Sequence, residues 1–178
     1  MNIFVLDKDP VLAAQYLCDK RVKHMPKECI ELLSIYIHSI TDKWLTPFPL
    51  WSNGDRTDTH FIYNSPTSKW VKKDKANMTW LYSYTVALLD EYEYRFNEVS
   101  SMSNFLIKLR DELHFVDQQP KSFHNSSFFK DLEIVTAYRK TICIKWYELD
   151  AIKAPRWTGR DVPYWIKEFK YDVTTKIY

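Results

Sequence analysis

Apolar residues along this chain return mostly every three or four positions, the period of a helix buried on one side. The start, Asn2–Leu6, is instead a short apolar run, which reads as one strand or as an extended lead-in tucked into the core. Asp9-Pro10 then pairs an oxygen cap with a first-turn proline and predicts a helix to about Met25. Pro26 is expected to break that helix and to open a second one. In the second, Cys29, Leu32, Leu33, Tyr36, Ile37 and Ile40 share the buried face. Residues 41–65, with Asn53-Gly54 and scattered Asp, read as a long loop of the kind that carries function. Asn64-Ser65-Pro66 starts the longest helix, to about Glu98, with Trp70, Met78, Leu81, Tyr84, Thr85, Leu88, Leu89 and Tyr92 along its apolar stripe. After a break at Ser100–Ser103 come a short helix over 102–113 and a polar loop over 114–127. A further helix is expected from about Phe128 to Leu149, with Leu132, Val135, Tyr138, Ile142 and Trp146 inward. The tail from Ala154 is turn-rich and aromatic, with room for one more short helix. The sum is an all-α fold: one domain over residues 1–178, a compact bundle of about five to six helices with a short extended N-terminal segment.

Composition narrows the function classes. At 178 residues, 46% apolar and 27% charged, the chain is long enough for one proper core and has ordinary globular composition. Its net charge of +2 gives no global pull on nucleic acid, so any basic site must come from local clustering. The two glycines, Gly54 and Gly159, leave no Gly-rich phosphate cradle of the Walker or Rossmann kind. Cys18, Cys29 and Cys143 are odd in number and lack CxxC spacing, which fits a reducing compartment and neither a disulfide framework nor a zinc ribbon. No signal peptide and no long uncharged apolar stretch are visible, so the expected setting is the cytoplasm without a membrane span.

Three clusters carry candidate chemistry. Lys20, Arg21, Lys23, His24 and Lys27 form a compact basic run, and Tyr16, Lys20, Lys23 and Lys27 fall on one face if the helix is continuous to Met25. A new helix start at Pro26 would add free N–H groups to an anion site there. The competing reading is a solvated basic face balanced by Asp19, Glu28 and Glu31. Lys69, Lys72 and Lys73, opposite Trp70, form a second positive face, suited either to nucleic acid or to plain solvation. Arg156-Trp157-Thr158-Gly159-Arg160 is the third: basic residues interleaved with aromatics bind phosphate and stack on a base, or cap the core. Asp55, Asp58 and His60 suit turns better than a metal, and Asp7 and Asp9 look like helix-start carboxylates. Glu91, Glu93 and Glu98 near Arg95 read as a charged helix face, and His38 as structural. Neither metal nor cofactor is expected.

Two resemblances follow from these residues. Ile3–Pro10, Ala13-Ala14-Gln15, Asp19–Met25, Lys69-Trp70-Val71-Lys72, Glu91–Phe96, Ala137-Tyr138-Arg139, Trp157, Arg160, Pro163 and Trp165 resemble stretches of a family of small tailed-phage proteins along nearly the whole chain. That resemblance implies a phage origin, hence an infected host cell, and assigns no activity. Leu12–Leu17 and, after one inserted residue, Lys23-His24-Met25-Pro26-Lys27 resemble LADQHL and RELPR of the phage endonuclease V type of pyrimidine-dimer DNA glycosylase and AP lyase, a small all-helical family. In that family an N-terminal amine attacks the sugar, the glutamate of RELPR assists, and flanking cations hold the DNA backbone. An amine neutral near pH 7 forms a Schiff base without a metal. Here the glutamate position falls on His24, and Asn2 leaves the Met1 amine in place of a small exposed residue.

The leading reading is therefore a phage DNA-processing protein acting on a base or abasic site. Met1, Lys23 and His24 are the catalytic candidates. Tyr16, Lys20, Arg21, Lys23, Lys27, Lys69, Lys72, Lys73, Arg95, Arg139, Trp157 and Arg160 are the nucleic-acid candidates, with Tyr16 and Trp157 placed to stack on an exposed base. Two other classes compete: a non-catalytic phage binder that sequesters a nucleotide signal or inhibits a host protein, and a base-modifying transferase. A weak salt slope for small-ligand binding, against a steep one for duplex, separates the first of these from the leading reading.

Overall fold

The computed structural model describes residues 3–46, 61–146 and 155–169. Its described secondary structure is helical, with no strand among those residues: α1 (Pro10–Gln15), α2 (Asp19–Thr41), α3 (Pro66–Lys73), α4 (Lys75–Phe96), α5 (Met102–Arg110) and α6 (Ile134–Ile144). Helix α2 packs along α4 and also touches α3 and α5, while α1 lies on α4. The extended segment Ile3–Leu6 is buried rather than paired as a strand. Phe4 meets Tyr138 of α6 edge-to-face, so the N-terminal segment and α6 close on one another. The buried side chains run from Ile3 to Ile166 in one continuous core, and the all-α bundle is what the periodicity implied.

Several boundaries differ from the sequence pattern, each for a physical reason. The expected helix to Met25 stops at Gln15, and α2 begins at Asp19 and runs through Pro26 without a break. A proline inside a helix costs about 3 kcal/mol through its missing N–H and its clash with the carbonyl four residues back. Val22, Met25, Pro26, Cys29 and Ile30 are all buried on both sides of that turn, and their burial outweighs the loss. The anion-binding helix start expected at Pro26 therefore does not exist. Ile40, expected inward, is 53% exposed near the helix end.

The long helix expected from Asn64 to Glu98 is two helices. Asp74 is extended (φ −150°, ψ 138°), and its carboxylate accepts the Ala76 N–H at 2.9 Å to cap α4. Asn77 Nδ2 donates to the Trp70 carbonyl at 2.8 Å, satisfying the end of α3. Residues 128–133 are non-helical: Glu133 caps α6 by accepting from Val135 N and Thr136 N, and Leu132 is exposed. Asp7 and Asp9 are helix-start carboxylates as expected, Asp9 accepting from Val11 N and Leu12 N and Asp7 from Asp9 N. Asp55, Asp58 and His60 lie outside the described residues, as does Met1.

Removing the cap at the α3–α4 joint is expected to cost about 1 kcal/mol. Asp74→Ala should lower the unfolding free energy from urea titration by that amount, seen as a lower midpoint with an unchanged denaturant slope.

Candidate functional site

The joint between α1 and α2, residues Tyr16–Cys18, ends one helix and begins the next with no glycine or proline to require it. Its carbonyls are taken by side chains from far along the chain. Arg95 of α4, with a fully buried side chain, donates Nη1 to Leu17 O at 2.7 Å and Nη2 to Gln15 O at 2.9 Å. Trp157 Nε1 donates to Tyr16 O at 3.0 Å. The remaining Arg95 donors reach Glu91 Oε2 at 2.9 Å and Asp19 Oδ1 at 3.2 Å. Glu91 in turn receives Arg160 Nη2 at 2.6 Å, and Asp19 receives Thr158 Oγ1 at 2.7 Å and Thr158 N at 3.0 Å. The turn at 156–160 is thereby latched to the α1–α2 joint. Gly159 adopts φ +68°, and its carbonyl accepts the Tyr94 hydroxyl at 2.8 Å. A Cβ there would stand 3.2 Å from Tyr94, so only glycine avoids both the backbone strain and the squeeze.

This network reassigns three expected nucleic-acid contacts. Every donor direction of Arg95 is occupied inside the fold, so Arg95 is scaffold. Trp157 is 8% exposed, packs edge-to-face on Trp146 and is not available to stack on a base. Arg160 is tied to Glu91 and lies 4.2 Å over the Tyr94 ring, at the rim of a cleft of about 550 Å³ lined in part by Gln15, Tyr82, Asp90 and Tyr94. Asp19 and Glu91, which the sequence offered as ordinary surface acids, are the anionic centres of the network. The sequence signal was limited to Glu91, four residues before Arg95 on the same helix; the partners of Asp19, Arg95 and Thr158, lie 76 and 139 residues away.

Tyr16 leaves the lysine face for the same reason, because it sits at the C-cap of α1 and not on α2. Its ring meets Tyr164 and Trp165 edge-to-face, and the Arg139 guanidinium lies 5.4 Å above it. Burial and the neighbouring Tyr164 raise the Tyr16 pKa. Arg139 donates Nε to Leu6 O at 2.9 Å and pairs with Asp7 at 3.2 Å, so it holds the N-terminal segment in place.

What remains of the first basic cluster is a single exposed stripe of α2. Lys20, Lys23 and His24 are exposed and Lys27 is half-buried. Helical spacing places the four within about one face. Lys23 Nζ lies 4.3 Å over the Phe96 ring at the end of α4. Arg21 turns away from the stripe, its guanidinium 5.2 Å from the Phe4 ring, and Lys145 approaches the same ring at 5.4 Å. Asp19, adjacent to Lys20, is engaged by Arg95 and Thr158. Lys69 and Lys73 are exposed on α3, while Lys72 folds back over Tyr63. Among the described residues no group of three or more His, Cys, Asp or Glu stands together to hold a metal ion.

The family model for pyrimidine dimer DNA glycosylases matches residues 1–104, from the chain start into α5. The chain belongs to that family. No curated protein and no solved structure matches it. The glycosylase match includes the buried N-terminal segment, the α1–α2 joint, the lysine stripe and Arg95, whereas Arg139, Trp157 and Arg160 lie beyond it. No helix among the described residues is long and apolar enough to cross a membrane.

Two outcomes test this division between scaffold and surface. Arg95→Ala takes a partner from the buried Glu91 carboxylate, the half-buried Asp19 and two carbonyls, and is expected to cost about 3–5 kcal/mol; Lys23→Ala should change stability by less than about 0.5 kcal/mol. Chemical denaturation of both variants checks the contrast. Asp90, at the cleft, has its carboxyl raised above the usual 3.8 by burial and by Glu93 and Glu91. Folding then favours its protonated form, so its ionisation destabilises the fold above the folded pKa and ceases to matter below the unfolded one. Asp90 is exposed, so solvent screens most of this effect: Asp90→Asn should raise the melting temperature only slightly at neutral pH, and the gain should vanish near pH 3.

Proposed function

We propose that this glycosylase-family protein acts on DNA at a base or abasic site through Schiff-base chemistry. The α2 stripe of Lys20, Lys23, His24 and Lys27 would meet the DNA backbone. The observation that carries the reading is the stripe itself: Lys20, Lys23 and His24 exposed and Lys27 half-buried on one helix face, on the segment that the family match covers. Arg21 touches the Phe4 ring, and His24 lies three residues further on the neighbouring helical row. The nucleophile of this reading is the amine of Met1, three residues before Phe4 in the chain.

In this reading the amine attacks C1′ of the open-chain abasic sugar, and loss of water gives an imine. His24 moves the protons of addition and dehydration, since an imidazole has one nitrogen that can donate and one that can accept. Lys20, Lys23 and Lys27 hold phosphates, and phage DNA processing in an infected cell is the setting. His24 stands where the family has a carboxylate, which favours a second reading: a DNA-binding protein of this family that has lost the lyase step.

Borohydride trapping on abasic-site duplex decides between them. The expected result is a covalent adduct, formed about 10²–10⁴-fold more slowly by His24→Ala, and duplex affinity weakened by Lys23→Ala with a salt slope smaller by about 0.9. Folded protein that binds duplex steeply with salt yet gives no adduct would establish the second reading.

A further inference from the structure

The far end of α2 carries a second constellation that the α2 stripe does not use. His38 and Trp44 stack at 4.2 Å between ring centroids and 16° between planes. Tyr63 meets them edge-on, at 5.7 Å from His38 and 6.4 Å from Trp44. Lys72 Nζ sits 3.7 Å above the Tyr63 ring and donates to the Tyr63 carbonyl at 3.1 Å. Trp44 is nonetheless 41% exposed. An indole already stacked on one face and braced by a tyrosine is a rigid, apolar surface whose ordering needs little further entropy on binding. Lys69 and Lys73, both exposed, flank Lys72 on neighbouring rows of α3. Burial and the nearby Lys69 lower the Lys72 pKa, the cost of crowding cations that an approaching anion would relieve. Among the described residues the acid paired with these rings is Asp42, 3.9 Å from His38 Nε2, and three lysines outnumber it.

An aromatic surface with cations beside it is how sequence-tolerant binding of unpaired strands is built: a base stacks on the ring while its phosphates meet lysines. A fully paired duplex offers no free base face. We propose that His38, Trp44 and Tyr63, with Lys69, Lys72 and Lys73, form a stacking platform for unpaired nucleotides, separate from the Lys20–Lys27 stripe. The fifteen helical residues from Lys23 to His38 put the two regions roughly 22 Å apart. A nucleic acid spanning both would be paired at one end and unpaired at the other. The platform rests on the proposed function only in taking nucleic acid as its ligand; it needs no Schiff-base step.

The test is fluorescence anisotropy of the full chain with a labelled twelve-nucleotide oligo-dT and with a blunt duplex of equal length, alongside borohydride trapping on abasic duplex. Trp44→Ala should weaken oligo-dT binding about 5- to 150-fold, the range for removing one ring that stacks on a base, and leave duplex affinity and trapping unchanged. Trp44→Phe should recover most of the affinity. The Lys69→Ala/Lys73→Ala double variant, altered only at exposed positions, should reduce the oligo-dT salt slope by about 0.7 for each phosphate that a lysine no longer neutralises. Wild-type protein that does not bind oligo-dT overturns the platform. So does a Trp44→Ala protein, or the double lysine variant, that binds it as wild type does with the same salt slope. Inorganic polyphosphate that displaces oligo-dT equally from wild type and from Trp44→Ala would show charge alone and overturn it too. Absence of an abasic adduct with Trp44-dependent oligo-dT binding intact sinks only the lyase step, whereas the reverse pattern sinks only the platform.

Discussion

The Arg95 guanidinium, buried among carbonyls and carboxylates, is the interaction on which the remaining arrangement depends. A charge in the interior is tolerated only when paired and fully hydrogen-bonded. Arg95 meets that condition by drawing Gln15 O, Leu17 O, Asp19 and Glu91 to one point. Those four groups come from α1, the joint, α2 and α4, so satisfying one side chain fixes the relation of three helices. Glu91 and Asp19 then carry charge left over for Arg160 and Thr158, and this recruits the 156–160 turn. Such a network is weak evidence of high stability, since an apolar core of the same volume often does as well. Its physical effect here is geometric. It sets where α1 must end and where α2, with its lysines, must begin.

The overall helical character was legible from periodicity because helix burial leaves a local trace every three or four residues. The stripe from Met78 to Leu89 within α4 follows that rule directly. The errors fall where distant groups override local chemistry. Nothing near Tyr16 announces a helix end; the groups that donate to its freed carbonyls lie at Arg95 and Trp157. Pro26 announces a break that does not occur, because the apolar face on both sides of it continues into the core. Asp74 was in principle readable, as a capping residue before Ala76 and Asn77, but the strong apolar stripe running across it masked the signal.

The same distinction governs the candidate site. Clustering of Lys20, Lys23, His24 and Lys27 was visible in the sequence because neighbours on a helix face are neighbours in the chain. Arg95, Arg139 and Trp157 carry the residue types that nucleic-acid contacts use, yet those types also suit buried scaffolding. Arginine is favoured in the interior for its five donors, and tryptophan for a large apolar body with one N–H. Composition cannot separate the two roles. Burial and hydrogen-bond partners do.

The latch between the 156–160 turn and the α1–α2 joint has a temporal side. Asp19 and Thr158 are 139 residues apart, and Tyr16 and Trp157 are 141 apart. Pairings at that separation are closed late, because a long loop must lose its freedom before the pairing returns anything. During synthesis, at about 5–20 residues per second, the first two helices emerge seconds before the turn that fastens their joint. Until then Asp19 has no threonine to bind, and Glu91 has no second arginine. The lysine-bearing helix is made early in the life of the chain, but the joint that sets its angle is completed only by the chain's last quarter.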